Sequence, residues 1–282
     1  MSFLIGRDLV SRLRGGRRAL ADSAIGSELI KSGTAPGRTV EANLSHPERV
    51  RRLHKLAILS GADAVTSNTF GMSGSPEWAA AFYAGVKIAV AEAHAAEPEI
   101  AVMISVYPSE LLENPDVVLM PWKNRETSDC LLLIETAVDL RETVAAVALA
   151  RQNGVDTVAA TCHFQTTGVM PDGSMPKAIV SALQKAGASV LGGNCGSVPE
   201  DWVLIAEHMR RATDLPLLFQ PNAGLPQQVG DRSVYSVDPI RFAANAARLY
   251  DVGVSMVGGC CGTTPAHIAA IRSLVFDPQR RE

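Results

Sequence analysis

Eight short apolar stretches, most of them followed by a stretch with helical spacing, constrain this chain more than any other feature. The stretches at 18–22, 62–70, 100–106, 130–136, 156–162, 188–194, 216–220 and 254–259 read as strands. Apolar residues at helical intervals follow at 47–60, 77–95, 138–152, 176–185, 200–212, 239–250 and 265–275. Strands that alternate with helices imply a parallel sheet, because each parallel connection needs a crossover. The stretch from Ile100 to Val106 is nearly all apolar, as a strand covered on both sides must be. Eight such units in one domain predict an α/β fold of the (β/α)8 TIM-barrel type, which takes about 250 residues. The chain has 282, so 1–282 is expected to form a single barrel domain. An open doubly wound sheet is the competing architecture. It explains less, since polar residues gather at the C-terminal ends of at least six strands, and only a barrel brings all those ends to one mouth.

The alternation falters once. After Pro108 the segment 109–129 contains Pro115 and Pro121 and lacks a helical stripe of normal length. The third outer helix is therefore expected to be shortened or missing. A gap there would expose apolar sheet, and a second copy of the chain is the expected cover, with Leu119, Met120 and Trp122 at the contact.

Charge and composition exclude several classes. A net charge of −3 provides no basic footprint for nucleic acid. No apolar run reaches the ~18 residues of a membrane span. Residues 1–18 mix charges with apolar side chains and have no secretory h-region, and five cysteines at strand ends do not suggest a disulfide framework. A reducing cytoplasm is the expected setting.

The chemistry concentrates near the C-terminus, in Gly258-Gly259-Cys260-Cys261-Gly262-Thr263-Thr264-Pro265. Adjacent cysteines close a strained disulfide ring, whereas zinc accepts several thiolates in a tetrahedral shell. A buried pair of small apolar side chains is the plain alternative. A second phrase of the same form, Gly192-Gly193-Asn194-Cys195-Gly196, argues for the metal. Two strand ends, each bare of side chains beside a cysteine, read as a three-cysteine site with an open fourth position. The glycines do not have the spacing of a dinucleotide fingerprint.

These residues resemble the homocysteine S-methyltransferase family, whose members use betaine, S-methylmethionine or cobalamin-bound methyl groups. Gly-Gly-Cys-Cys-Gly-Thr-Thr-Pro at 258–265 and Gly-x-Asn-Cys at 192–195 carry the resemblance. Pro221-Asn222-Ala223-Gly224, Ser67-Asn68-Thr69-Phe70 and Ile134-Glu135-Thr136 look like further family phrases, and Asp22-Ser23-Ala24-Ile25-Gly26-Ser27 resembles the opening one with substitutions. The resemblance implies a (β/α)8 barrel that transfers a methyl group from an activated donor to homocysteine, giving methionine. It implies Zn2+ held by Cys195, Cys260 and Cys261, and an amino group held by Asp22 and Glu135.

The residue types suit that chemistry. A free thiol of pKa about 8.5 is mostly protonated at neutral pH, and the thiolate is the nucleophile. Zinc in an open site takes the substrate sulfur and deprotonates it. Carboxylates suit an ammonium through charge-assisted hydrogen bonds.

Other readings stay open. Asp22 could cap the turn after it, and Asn68 and Asn222 could be turn formers, though both join Tyr235 as candidate substrate contacts. Glu135 is harder to explain as structure, because a buried acid needs a partner. Cys130 and Cys162 are expected in the core, and His163 as a hydrogen-bonded wall residue. The Tyr107-Pro108 phrase and the broken segment after it leave the donor open. Rival functions are methyl transfer to another small thiol or selenol, a barrel serving as a zinc- or thiol-binding subunit or sensor, and a vicinal-dithiol redox protein. A corrinoid or folate carrier, if used, is expected on another protein.

Overall fold

The computed structural model describes residues 6–71, 76–98, 100–123, 127, 129–196, 199–230 and 232–277. Its strands are β1 (Ala19–Leu20), β2 (Ala64–Thr66), β3 (Ala101–Val106), β4 (Leu131–Ala137), β5 (Val158–Phe164), β6 (Val190–Gly196), β7 (Leu217–Gln220), β8 (Gln227–Val229), β9 (Arg232–Val234) and β10 (Met256–Val257). Eight of them form one parallel sheet in the order β1-β10-β7-β6-β5-β4-β3-β2. A parallel bridge between Ala21 and Ala64 joins the two ends, so the sheet closes into the expected (β/α)8 barrel.

The period of two along each strand sorts the core into two compartments. Ala64, Ala101, Met103, Leu131, Leu133, Ala159, Val190, Leu218 and Met256 fill the barrel interior. Their neighbours, such as Val102, Ile104, Leu132, Ile134, Leu191 and Phe219, face the outer helices. Outer helices span Pro47–Leu59, Trp78–His94, Leu140–Gln152, Pro176–Ala186, Pro199–Arg210, Pro239–Asp251 and Pro265–Ile271. Pro47, Pro176, Pro239 and Pro265 lie in first turns, where a missing N–H leaves nothing unpaired.

Three features depart from the expectations. Residues Gly6–Arg14 form a helix whose Leu9, Val10 and Leu13 join the interior cluster and pack against β3, plugging the barrel beneath its strand starts. The segment after β3 is not bare: it forms short helices at Pro108–Glu113, Pro115–Val118 and Met120–Lys123. Shortening is as expected, but Leu111, Val118 and Leu119 are buried, and Trp122 packs on the core with its Nε1 donating to the Cys130 carbonyl at 3.2 Å. The chain covers this face itself, which removes the physical reason for a second copy there. Finally, β8 and β9 form an antiparallel hairpin within what reads as a polar loop.

Candidate metal and thiol site

The strands run in parallel, so their C-terminal ends meet at one mouth. Cys195 lies near the end of β6, and Cys260 and Cys261 lie in the turn after β10. Their three sulfurs fall within 4.8 Å of one another, and Cys260 Sγ and Cys261 Sγ are 3.9 Å apart.

Backbone hydrogen bonds stitch the cysteine turn to both neighbouring strands. Gly259 N–H donates to the Asp22 carbonyl at 2.9 Å, and Cys260 N–H donates to the Pro221 carbonyl at 2.8 Å. Ser27 Oγ accepts from Gly262 N–H at 3.1 Å, so the serine in the opening phrase anchors this turn. Gly262 has φ of 80°, and a Cβ there would meet the Tyr235 ring at 2.1 Å. Only glycine permits both the turn and the ring above it. Cys195 itself has φ of 56° without being glycine, a conformation held by its surroundings.

The thiols share protons unequally. Hydrogen bonds from Cys260 and Cys261 draw Cys195 well below the ordinary thiol range, and His163 and Asn222 add to this. The same contacts push Cys260 well up, and the hydrogen bond with Cys195, together with burial, raises Cys261 to about 11. Three sulfur donors this close suit a thiophilic divalent ion.

A cavity of about 200 Å³ opens beside the sulfurs, lined by Asp22, Thr66, Ser105, Glu135, Gln220, Cys195, Cys260 and Cys261 among others. Asp22 is buried, and its two oxygens accept from Thr66 N–H and from Thr66 Oγ1, each at 2.7 Å. It reaches across the closing seam to β2 rather than capping its own turn. Glu135 accepts from Ser105 Oγ and, at 2.7 Å, from Asn194 Nδ2. Burial raises both acids to about 7. Low polarity favours the neutral carboxyl unless a cation arrives.

The remaining candidates divide. Asn68 lines the cavity, but its amide N–H groups donate to the Thr39 carbonyl at 2.8 Å and to Asn43 Oδ1 at 2.9 Å. These bonds brace the loop, and Asn68 remains part of the cavity wall. Asn222 points its Nδ2 at Cys195 Sγ, 3.7 Å away, while its buried Oδ1 has no hydrogen-bond partner among the described residues. Tyr235 reaches the site: its hydroxyl bonds to Cys261, and burial together with the cysteines raises its pKa. Cys130 and Cys162 are core thiols, each pushed to about 12 by burial.

Sequence reasoning missed Asn194 as a site residue. Its buried amide joins Glu135, Thr136 and Thr161, with Nδ2 4.0 Å from Cys260 Sγ. Its place inside the Gly-x-Asn-Cys phrase was the available signal.

Known proteins resemble this chain in sequence and in fold. The chain is 36% identical over 157 residues to methionine synthase of Mycobacterium tuberculosis, a match covering 54% of the chain and 13% of that enzyme. It is 27% identical to betaine–homocysteine S-methyltransferase 1 of Xenopus laevis, covering 94% of the chain and 74% of the relative. The fold matches the metallated form of the homocysteine methyltransferase MmuM from Escherichia coli with a TM-score of 0.74 at 21% identity, over 91% of this chain and 96% of that one. The family model for homocysteine S-methyltransferase matches residues 19–275, and the chain therefore belongs to that family.

Proposed function

We propose that this chain is a zinc-dependent thiol S-methyltransferase that transfers a methyl group from an activated donor to homocysteine, giving methionine. The observation that carries this reading is one cavity faced by three clustered sulfurs and by two acids, Asp22 and Glu135. A thiol amino acid presents a sulfur and an ammonium, and the sulfurs and the acids that line the cavity match the two groups.

The residues fit a zinc ion, since three sulfur donors leave room for a fourth ligand. Cys195, Cys260 and Cys261 would hold it, and the bound ion supplies a Lewis-acid centre that keeps a substrate sulfur as thiolate at neutral pH. Asp22 and Glu135 take the ammonium, whose charge favours their ionised forms. Thr66, Ser105 and Asn194 hold these carboxylates in place, so little reorganisation accompanies binding. Asn222 donates to the Cys195 sulfur and steadies it. Phe70, edge-on to Tyr107 with ring centroids 6.0 Å apart, offers the donor an apolar wall. Among the described residues no helix is long and apolar enough to cross a membrane. A reducing cytoplasm is the proposed setting, because the site requires its cysteines reduced.

The test is zinc content together with methionine formation. Purified protein is expected to bind about one zinc per chain and to form methionine from homocysteine with at least one of S-methylmethionine, betaine or methylcobalamin. Cys195→Ser, Cys260→Ser and Cys261→Ser are each expected to lose most of the zinc. Full zinc retention in all three would end the proposed ligand set, and turnover of a different thiol alone would end the homocysteine reading.

A further inference from the structure

The last inward-facing residues of the strands form a polar layer above the apolar interior. β3, β4 and β6 contribute Ser105, Glu135 and Asn194, which hydrogen-bond to one another in series. β7 contributes Gln220, in register beside Asn194 and two residues beyond the interior Leu218. On its other side, β10 runs on to Gly258, which has no side chain to offer and no space for one, since a Cβ there would lie 2.6 Å from the Ala21 Cβ.

Gln220 is 4% exposed and lines the cavity, yet its Oε1 has no hydrogen-bond partner among the described residues. A buried amide carbonyl left unpaired is unfavourable, and such a group in a cavity marks a place for a donor. The nearby acids decide which donor. A cation is favoured beside Asp22 and Glu135, and the oxygens of both are already oriented by bonds from Thr66, Ser105 and Asn194. A primary ammonium brings three N–H groups, and the unpaired Gln220 oxygen in the same cavity as the two acids offers one of them an acceptor of its own.

We propose that Gln220 Oε1 accepts the third N–H of the primary ammonium of the thiol substrate and makes the cavity selective for an amino acid. The inference rests on the reading of the site as a homocysteine site and adds a specificity-determining residue to it. A quaternary ammonium has no N–H and gains nothing from Gln220. A thiol without an amino group gains nothing either.

The experiment is calorimetric titration of the zinc-loaded protein with homocysteine and with 4-sulfanylbutanoate, which is homocysteine without its amino group. Gln220→Met is expected to weaken homocysteine about tenfold, the loss of one good hydrogen bond. It should leave 4-sulfanylbutanoate within about twofold and zinc content unchanged. Gln220→Glu restores an acceptor and is expected to recover homocysteine affinity. Equal losses for both thiols, or no loss for either, would overturn the inference while leaving the homocysteine site standing. Wild-type protein that binds neither thiol would overturn both. Should the Met variant fail to hold zinc, Gln220→Asn, which keeps the amide but shortens its reach, makes the same comparison.

Discussion

Asn194 shows how one side chain ties the site to the barrel. Its Oδ1 accepts from Thr136 N–H at 2.8 Å and from Thr161 Oγ1 at 2.9 Å, while Nδ2 donates to Glu135 and Thr136. Thr136 has φ of 58°, a left-handed conformation that a β-branched residue adopts only under constraint, and the Asn194 bonds supply that constraint. Asn194→Leu takes this partner from a backbone N–H, two hydroxyls and a carboxyl. It is expected to destabilise the metal-free protein by about 2–4 kcal/mol. Urea denaturation measures this, and a loss under about 1 kcal/mol would show that water replaces the amide. The acids give a pH signature of their own. Asp22 and Glu135 titrate near 7 in the folded chain and at the ordinary values of 3.8 and 4.5 when unfolded. Between those limits the native state holds protons that the unfolded state has released. Their contribution to stability is therefore full below about pH 4 and fades as the pH rises through 7. The urea midpoint of the metal-free protein should fall between pH 5 and pH 8, and Glu135→Gln should flatten that fall. An equal slope in the variant would place the titration elsewhere.

At the scale of elements, the Gly6–Arg14 helix and the segment after β3 are the informative pair. The helix inserts Leu9, Val10 and Leu13, each at most 4% exposed, under the strand starts, opposite the cavity end of the barrel. Leu13→Ala is expected to lower stability by about 2–5 kcal/mol, the usual range for a buried leucine. Zinc stoichiometry of the folded fraction should not change, since the thiols lie at the other end of the strands. A coupled loss of zinc would mean that the plug sets the mouth. The segment after β3 teaches the opposite lesson. Pro115 and Pro121 break one helix into short turns, yet those turns bury Val118 and Leu119. Met120 is 38% exposed. Met120→Lys should therefore change stability by less than about 0.5 kcal/mol and leave the sedimentation coefficient unaltered.

For the whole molecule, the proposed metal ligands link two places far apart in the chain. Cys195 ends β6, and the Cys260-Cys261 turn follows β10, next to the seam where Ala21 meets Ala64. An ion held by all three cysteines binds the folded barrel and not the open chain, so zinc at a hundred times its dissociation constant should add about 2.7 kcal/mol. Chelation should lower the denaturation midpoint by a matching amount while the far-ultraviolet circular dichroism stays native. Loss of secondary structure on chelation would mean that the metal holds the barrel closed.

The order of strands and helices, the closed parallel barrel and the cysteine phrases were legible in the chain because they depend on local patterns. Apolar runs such as Ile100-Ala101-Val102-Met103-Ile104 declare a doubly covered strand, and the glycines at 192, 193, 258 and 259 mark strand ends without side chains. The Gly6–Arg14 helix escaped notice because only the barrel floor gives its short apolar stripe something to bury. The β8–β9 hairpin escaped because its residues are polar and its pairing is its own. Asn68 and Asn222 could be placed at the mouth from their phrases, but not aimed. Whether an amide faces a cavity, a loop carbonyl or a sulfur depends on which acceptor lies nearest, and here those acceptors come from distant parts of the chain: Asn43 for Asn68, Cys195 for Asn222. Asn194 and Gln220 came together for the same reason. They are 26 residues apart in sequence and adjacent only once β6 and β7 pair in register, since that register alone sets which side chains share the barrel mouth.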